Sequence, residues 1–171
     1  MHVFHKLNDV LASKDLSGEL GVVDGAAMCL AFNRLPTKDM DAIFKPSSVI
    51  KKIARDLANT EGLPSQWLND AVKGFLSKDF KRETFLELSH LRVWIPEAQY
   101  MLAMKCISAR CDMSDQDDIV FLIKYLKIAK ANDVFKLIES YYPANRVQPK
   151  TKFLIEELLK KPTKRKKRVE I

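Results

Sequence analysis

Residues 21–44 decide the fold, and they read GVVDGAAMCLAFNRLPTKDMDAIF. The first three form a short β-branched run that favours a strand, and the following Asp24-Gly25 pair is a turn signal that also opens a helix. Residues 26–32 are strong helix formers with little polar character, which predicts a buried helix. A polar, proline-containing segment ends that helix, and residues 39–44 favour a second strand.

The predicted second strand carries two carboxylates, Asp39 and Asp41. Residues at i and i+2 of a strand point to the same face, so we expect these side chains to lie side by side. A cation between them relieves their repulsion, and Mg²⁺ is a hard ion that takes one or two protein carboxylates plus substrate phosphates. The turn at Gly25 places a helix N-terminus nearby, where free N–H groups and the dipole attract phosphate. The stretch therefore predicts a site for a metal and a phosphorylated ligand.

The same stretch resembles the polymerase-β-like nucleotidyltransferases, which show a hydrophobic strand, Gly-Gly or Gly-Ser, a helix and then Asp-x-Asp. It is most similar to small bacterial nucleotidyltransferase-like proteins related to the AbiEii-type toxins, with V-G-G-A-A-M followed by T-K-D-x-D-A. Residues 23–28 here read VDGAAM, and residues 37–42 read TKDMDA. Asp24 stands where that family has its first glycine. The resemblance covers about residues 20–122, roughly two-thirds of the chain.

Two later elements extend the resemblance. Lys105 lies in the apolar sequence LAMK, similar to an L-A-x-K motif of the family, and the resemblance implies that its ammonium reaches the cleft toward phosphate or an aspartate. Burying an ammonium is costly unless it is paired, and the other interpretation is a lysine whose head reaches water. Asp115 and Asp118 match the spacing of the family's R-D-x-x-D-I/L motif. Acids in the first turn of a helix are also ordinary complements of the helix dipole.

The resemblance implies metal-dependent transfer of a nucleotidyl group from a nucleoside triphosphate to an acceptor, with Mg²⁺ or Mn²⁺ as the cofactor. Asp39 and Asp41 would hold the metal, and Lys105 would stabilise phosphate charge. Asp118 would orient the lysine or assist deprotonation, with Asp115 as a helper. The family motifs place further nucleotide contacts at five residues: Gly25, Ala26, Thr37, Lys38 and Asp115.

Partners and an alternative function also follow from the resemblance. It implies a toxin-like activity on RNA, including transfer RNA, and a cognate antitoxin protein as the partner. The alternative is a catalytically degenerate member that binds a nucleotide, RNA or a protein. Asp24 favours this alternative, because a carboxylate opposes a triphosphate at the point where the dipole should attract it. An Asp there is also a good helix N-cap, so we expect the fold to tolerate it. A third possibility is an antitoxin-like or scaffold role with the basic tail as the contact.

The remaining patterns predict an α+β fold: a small mixed sheet of three to five strands flanked by helices, with a helical C-terminal half. Apolar spacing and cap signals predict helices at residues 2–14, 46–61, 67–75, 96–107, 114–126, 131–140 and 150–160. Ser65 is the expected N-cap of the third of these helices, and Pro96 is expected in the first turn of the fourth. Alternating patterns predict two further strands, 84–88 and 91–95.

Two features of this middle region leave alternatives open. The segment 67–75 is either structural, with its two aromatic residues packed and Asn69 and Asp70 holding a turn, or functional, with those two residues or Lys73 at the rim of the cleft. Glu87 is the only carboxylate inside the later pair of predicted strands. It is a candidate third metal ligand, but strand alternation could equally point it to solvent.

Length and charge predict one domain with a tail. Residues 1–160 form the expected nucleotidyltransferase-like domain, with a core at about 18–122 and a helical part at 123–160, and residues 161–171 form an expected disordered basic tail. The formal net charge of +7 is matched by seven cations between positions 160 and 168. The body is therefore close to neutral, and the pI near 9.3 does not by itself indicate nucleic-acid binding.

Three cysteines at irregular spacing indicate neither a disulfide framework nor a zinc site. The N-terminus lacks the pattern of a signal peptide, and no apolar run approaches the length needed to cross a bilayer. We therefore expect a cytoplasmic protein without a membrane partner.

Overall fold

The computed structural model describes residues 1–34, 37, 39–77, 79–108 and 113–160, so Lys38 and the predicted tail at 161–171 lie outside the described residues. The α-helices are α1 (His2–Ser13), α2 (Asp24–Phe32), α3 (Ser47–Glu61), α4 (Ala98–Ser108), α5 (Met113–Tyr125), α6 (Ala131–Glu139) and α7 (Pro149–Leu158). The strands are β1 (Gly18–Val22), β2 (Met40–Lys45), β3 (Leu68–Asn69), β4 (Arg82–Glu87) and β5 (Leu91–Pro96). Short 3₁₀ turns lie at Ala71–Gly74 and Ala144–Arg146.

The described strands form one five-stranded mixed sheet with the order β3-β2-β1-β5-β4. The central strand β1 pairs antiparallel with β2 and parallel with β5. The β2–β3 pair is parallel, and the β4–β5 pair is antiparallel. The predicted α+β fold with a small mixed sheet is therefore confirmed.

One hydrophobic core runs from α1 to α7 and includes residues as distant in sequence as Phe4 and Ile155. Helices α1 and α3 pack against each other, and α4 packs against α2, α5 and α6. The helix α4 is central to this arrangement, because every residue from Tyr100 to Cys106 is buried. Its single charged side chain in that run, Lys105, must therefore find its partners inside the protein.

The boundaries of α3 follow from local chemistry. Pro46 precedes the first helical residue in an extended conformation, which suits a proline before a helix. The helix ends at Gly62, whose φ of 66° lies in the left-handed region that glycine adopts without steric cost.

The predicted helix at 67–75 is wrong. Only the two residues of β3 and one 3₁₀ turn form there, and Ser65 caps no helix. Trp67 is buried and donates from Nε1 to the carbonyl of Ala54 at 2.9 Å, whereas Phe75 is 52% exposed. The two residues of β3 pair with β2, so this part of the segment joins the sheet and does not form a helix.

Two further local predictions need correction. Pro96 is the last residue of β5, and α4 begins two residues later. Asp24 is the first residue of α2 instead of its N-cap; Val23 occupies the cap position, and no side chain makes a capping hydrogen bond there. The φ of Asp24 is 53°, in the left-handed region where glycine is favoured. The glycine expected at this position by resemblance therefore matches the backbone conformation.

Candidate functional site

The buried ammonium of Lys105 is surrounded by three carboxylates. Its Nζ lies 2.5 Å from Oδ1 of Asp24, 2.8 Å from Oδ1 of Asp115 and 3.1 Å from Oδ2 of Asp118. The residue is 3% exposed. We call this group the Lys105 cluster, and it joins the first turn of α2 and the first two turns of α5 to the last turn of α4.

The charge balance of the Lys105 cluster keeps the lysine protonated. Burial opposes the charged form, but the attraction of Asp24 and the hydrogen bond to Asp115 outweigh it and raise the pKa of Lys105 well above its ordinary value. The ammonium therefore stays charged throughout the physiological range. It is also saturated by protein carboxylates, so it organises these acids and has little exposed surface to offer a ligand.

A second cation, Arg34, contacts the Lys105 cluster through Asp118. Nε of Arg34 donates to Oδ1 of Asp118 at 3.3 Å, while the Arg34 guanidinium lies 5.0 Å from the centre of the Phe121 ring. Asp118 is 6% exposed, so both of its oxygens serve internal contacts. Its observed contacts are those of a residue that positions Lys105. The sequence offers little signal for Arg34, which lies in the segment after α2 and resembles any polar helix-ending residue.

The spacing of the acids on α5 explains how one helix supplies two of them. Asp115 and Asp118 are three residues apart and therefore share a helix face. That face is directed to α4, which packs closely on α5. The family resemblance implied phosphate or an aspartate as the partner of Lys105, and the structure brings both acids to the ammonium together with Asp24.

Beside the Lys105 cluster lies a cavity of about 140 Å³ with three carboxylate residues in its wall. We call it the acidic cavity, and its acids are Asp24, Asp41 and Asp115. The rest of its lining comes from Ala71, Val72, Phe75, Met104 and Ser108. Asp41 and Asp115 also make further interactions, so none of the three acids is unpartnered.

The two acids of the Asp-x-Asp motif line different cavities. Strand β2 begins at Met40, so Asp39 precedes it, whereas Asp41 is its second residue. Asp39 lines a different cavity of about 220 Å³, which we call the loop cavity. Two more predicted nucleotide contacts, Ala26 and Thr37, line the loop cavity with it.

Gly25 and Thr37 have clear structural roles. A Cβ atom at Gly25 would lie 2.6 Å from Cγ2 of Thr37, so this glycine admits the loop against the start of α2. The Thr37 hydroxyl donates to the carbonyl oxygen of Asp39 at 2.6 Å. Both residues therefore shape the approach to β2.

The fit of these residues to Mg²⁺ can be tested on the donors present. Within the described residues there is no group of three or more His, Cys, Asp or Glu side chains arranged to hold a metal ion. Mg²⁺ needs fewer protein ligands, usually one or two carboxylates with phosphate and water completing six positions. Asp41 and Asp24 share the acidic cavity and match that donor set in chemical type.

The remaining candidates are not among the residues that line the acidic cavity. Glu87 is exposed on the edge strand β4 and pairs with Arg92 at 3.7 Å. Asn69 accepts a hydrogen bond from the amide of Ala71 and so holds a turn. Asp70 forms ion pairs with Lys51 and Lys73, whose hydrogen bonds lower the pKa of its carboxyl.

In the part of the chain that is described, no helix combines the length and apolar character required to cross a membrane.

No protein-family model, curated protein or solved structure matches this chain, so the nucleotidyltransferase resemblance remains a hypothesis carried by the motifs and the site.

Proposed function

We propose that this protein is nucleotidyltransferase-like and binds a nucleoside triphosphate together with Mg²⁺ or Mn²⁺ at the acidic cavity. The activity proposed is transfer of the nucleotidyl group to an acceptor, with RNA as the first candidate. The supporting observation is that Asp41 shares this cavity with the first residue of α2 and with Asp115, beside Lys105. A cognate antitoxin protein as a partner belongs to the same proposal and is supported by the motif resemblance alone.

Each residue of the site has a role within this proposal. Asp41 is the proposed metal ligand, with Asp24 in the same cavity as the second candidate. When bound, the metal would neutralise the triphosphate and activate the acceptor oxygen. Lys105 and Asp118 act as positioning residues, because their charged atoms are engaged with each other and with neighbouring protein groups.

The test is calorimetric titration of each of the four nucleoside triphosphates in the presence of Mg²⁺. Asp41→Ala should weaken binding by about tenfold or more, because it removes a charged ligand of the cation. Asp39→Ala should have a smaller effect, since Asp39 lines the loop cavity. Asp56→Ala is the matched control, because Asp56 is an exposed acid on α3. Unchanged affinity in both the Asp41 and Asp39 variants would refute the proposal.

A second candidate function is binding without transfer, and Asp24 favours it. Asp24 lines the acidic cavity, and its carboxylate is paired with the Lys105 ammonium. The lysine is therefore already neutralised by a protein carboxylate and is less able to attract a phosphate. Incubation with RNA and an α-labelled triphosphate separates the two candidates. Label transferred to RNA by the parent and lost in Asp41→Ala supports the enzyme, whereas triphosphate binding without transfer supports the binding protein.

A further inference from the structure

A cavity of about 530 Å³ is lined by none of the residues of the Lys105 cluster. Small-molecule sites commonly occupy about 300–1,000 Å³ and combine apolar walls with a few polar groups. Here the apolar part of the wall includes Ile43, Phe44, Leu76 and Trp94. We call this the basic-rimmed cavity, for the reason given next.

Three cations and one carboxylate line the basic-rimmed cavity: Lys45, Lys73, Arg82 and Glu19. The carboxylate is already engaged, because Oε1 of Glu19 accepts a hydrogen bond from Trp94 Nε1 and lies 3.5 Å from Arg82 Nη1. Lys45 is exposed and forms no ion pair within the described part of the chain. Lys73 is paired with Asp70, which it shares with Lys51, so Lys45 is the cation of the rim without an ion pair in the described part of the chain. The rim still carries a net positive charge that an anionic ligand would complement.

Two of the three cations stand over aromatic rings. The Arg82 guanidinium lies 4.6 Å from the centre of the Trp94 ring and 5.8 Å from that of Phe80, and Lys73 Nζ lies 5.5 Å from the centre of Phe44. The indole packs against Gly21. A Cβ atom at this position would overlap the ring, so the glycine leaves the space that the indole occupies. A planar guanidinium fixed on an indole can stack on a flat ring or pair with phosphate. The cavity thus combines surfaces for a flat apolar group and for an anion.

The basic-rimmed cavity and the acidic cavity are neighbours on the sheet. Asp41 and Ile43 are two residues apart on β2 and point to the same face of the sheet. Segment 71–77 contributes Val72 and Phe75 to the acidic cavity, and it contributes Lys73 and Leu76 to the basic-rimmed cavity. One sheet face therefore presents an acidic and a basic concavity that share this segment as a wall.

We propose that the basic-rimmed cavity is a second ligand site, specific for a nucleotide, with the base against the apolar wall and Arg82, and the phosphate at Lys45 and Lys73. The proposal does not depend on transfer chemistry. It differs from the metal–triphosphate site in its residues and in needing no divalent cation, since its phosphate partners are protein cations.

The experiment is calorimetric titration of the full chain with adenosine 5′-monophosphate in buffer containing a metal chelator. We expect saturable one-to-one binding that is tighter than the binding of adenosine or of inorganic phosphate, because only the nucleotide fills both parts of the cavity. Lys45→Glu should weaken it by about tenfold or more, and Arg82→Ala by a similar factor. Lys52→Ala, an exposed lysine of α3 outside the cavity, is the matched control and should have no effect.

Several outcomes would overturn the proposal. These are no binding of the monophosphate, phosphate binding as tight as nucleotide binding, or equal affinity in Lys45→Glu and the parent. Lys45 is exposed, so its replacement tests the cavity without unfolding the chain, and Arg82→Lys keeps the charge if Arg82→Ala does not fold. Asp41→Ala should leave monophosphate binding intact, and loss in that variant would assign the binding to the acidic cavity. A hexa-adenylate titration distinguishes a free nucleotide from a nucleotide within RNA, with Lys45→Glu sensitivity required of either.

Discussion

The Lys105 cluster and the rim of the basic-rimmed cavity use charge in opposite ways. In the cluster, one ammonium is 3% exposed and is enclosed by three carboxylates from two other helices. At the rim, the Lys45, Lys73 and Arg82 side chains are partly or largely open to solvent. Buried charges are held in place by one another, so their loss should appear in stability. Rim charges are available to a ligand, so their loss should appear in affinity.

The largest effect is expected from Lys105→Met. It leaves Asp115 and Asp118 without their buried ammonium, and breaking a buried pair in this way costs about 3–5 kcal/mol. Lys73→Met is the matched control, because its pair with Asp70 is partly exposed and such pairs contribute about 0–1 kcal/mol. Urea unfolding of both variants measures the difference. Equal losses in the two variants would mean that the cluster is no more structural than the rim.

The next effect is expected from Gly21→Ala, at the back of the basic-rimmed cavity. The added methyl group would overlap the Trp94 indole, and overpacking of this kind costs about 1–3 kcal/mol. Gly74→Ala is the control, since nothing lies within 4 Å of a Cβ placed there. The same denaturation experiment applies, and a displaced indole should also weaken nucleotide binding. A stable Gly21→Ala variant with unchanged binding would show that the position of Trp94 is not fixed by this glycine.

Alkaline pH provides a third comparison. The pKa of Lys105 is raised in the folded state, so its stabilising contribution is complete below its unfolded pKa of about 10.4 and is lost as the pH rises above that value. The slope attributable to one such group is at most about 1.4 kcal/mol per pH unit. The stability of Lys73→Met should therefore fall more steeply than that of Lys105→Met above about pH 10.4. Parallel curves for the two variants would contradict the assignment of the raised pKa to the cluster.

The smallest change in stability is expected at Asp24. Asp24→Gly relieves a left-handed backbone conformation but removes one ion pair from Lys105, so the two effects oppose each other and the net change should be within about 1 kcal/mol. Asp24→Asn removes the charge and keeps the side-chain size. If the charge limits the acidic cavity, both variants should bind magnesium triphosphate more tightly than the parent. If Asp24 is instead the second metal ligand, both should bind it more weakly. Tighter binding in the glycine variant alone would show that the backbone conformation, and not the charge, limits affinity. Tighter binding in neither variant would contradict the interpretation that Asp24 makes this protein catalytically degenerate.

The sequence predicted most elements because their signals are local. The 3.6-residue spacing of apolar side chains identified α1, α6 and α7, and alternation identified β4 and β5. The errors lie where long-range pairing competes with local preference. In segment 67–75, pairing of Leu68 and Asn69 with β2 replaced a helix that local residue types favoured.

For the candidate site too, local sequence indicated some features and long-range packing decided the others. The sequence indicated that the Lys105 ammonium needs a partner or access to water, because an unpaired ammonium in an apolar helix is costly, and the family resemblance implied phosphate or an aspartate as the partner. Only the tertiary structure showed that three acids surround the Lys105 ammonium and that Arg34 contacts one of them. The sequence could not show this, because these side chains come from α2, α4, α5 and the segment after α2. The tertiary structure also showed that Asp39 and Asp41 line different cavities, with β2 beginning at Met40 between them. Local sequence sets which element a residue joins, whereas the packing of distant elements sets which side chains meet, and chemistry at a site depends on the second.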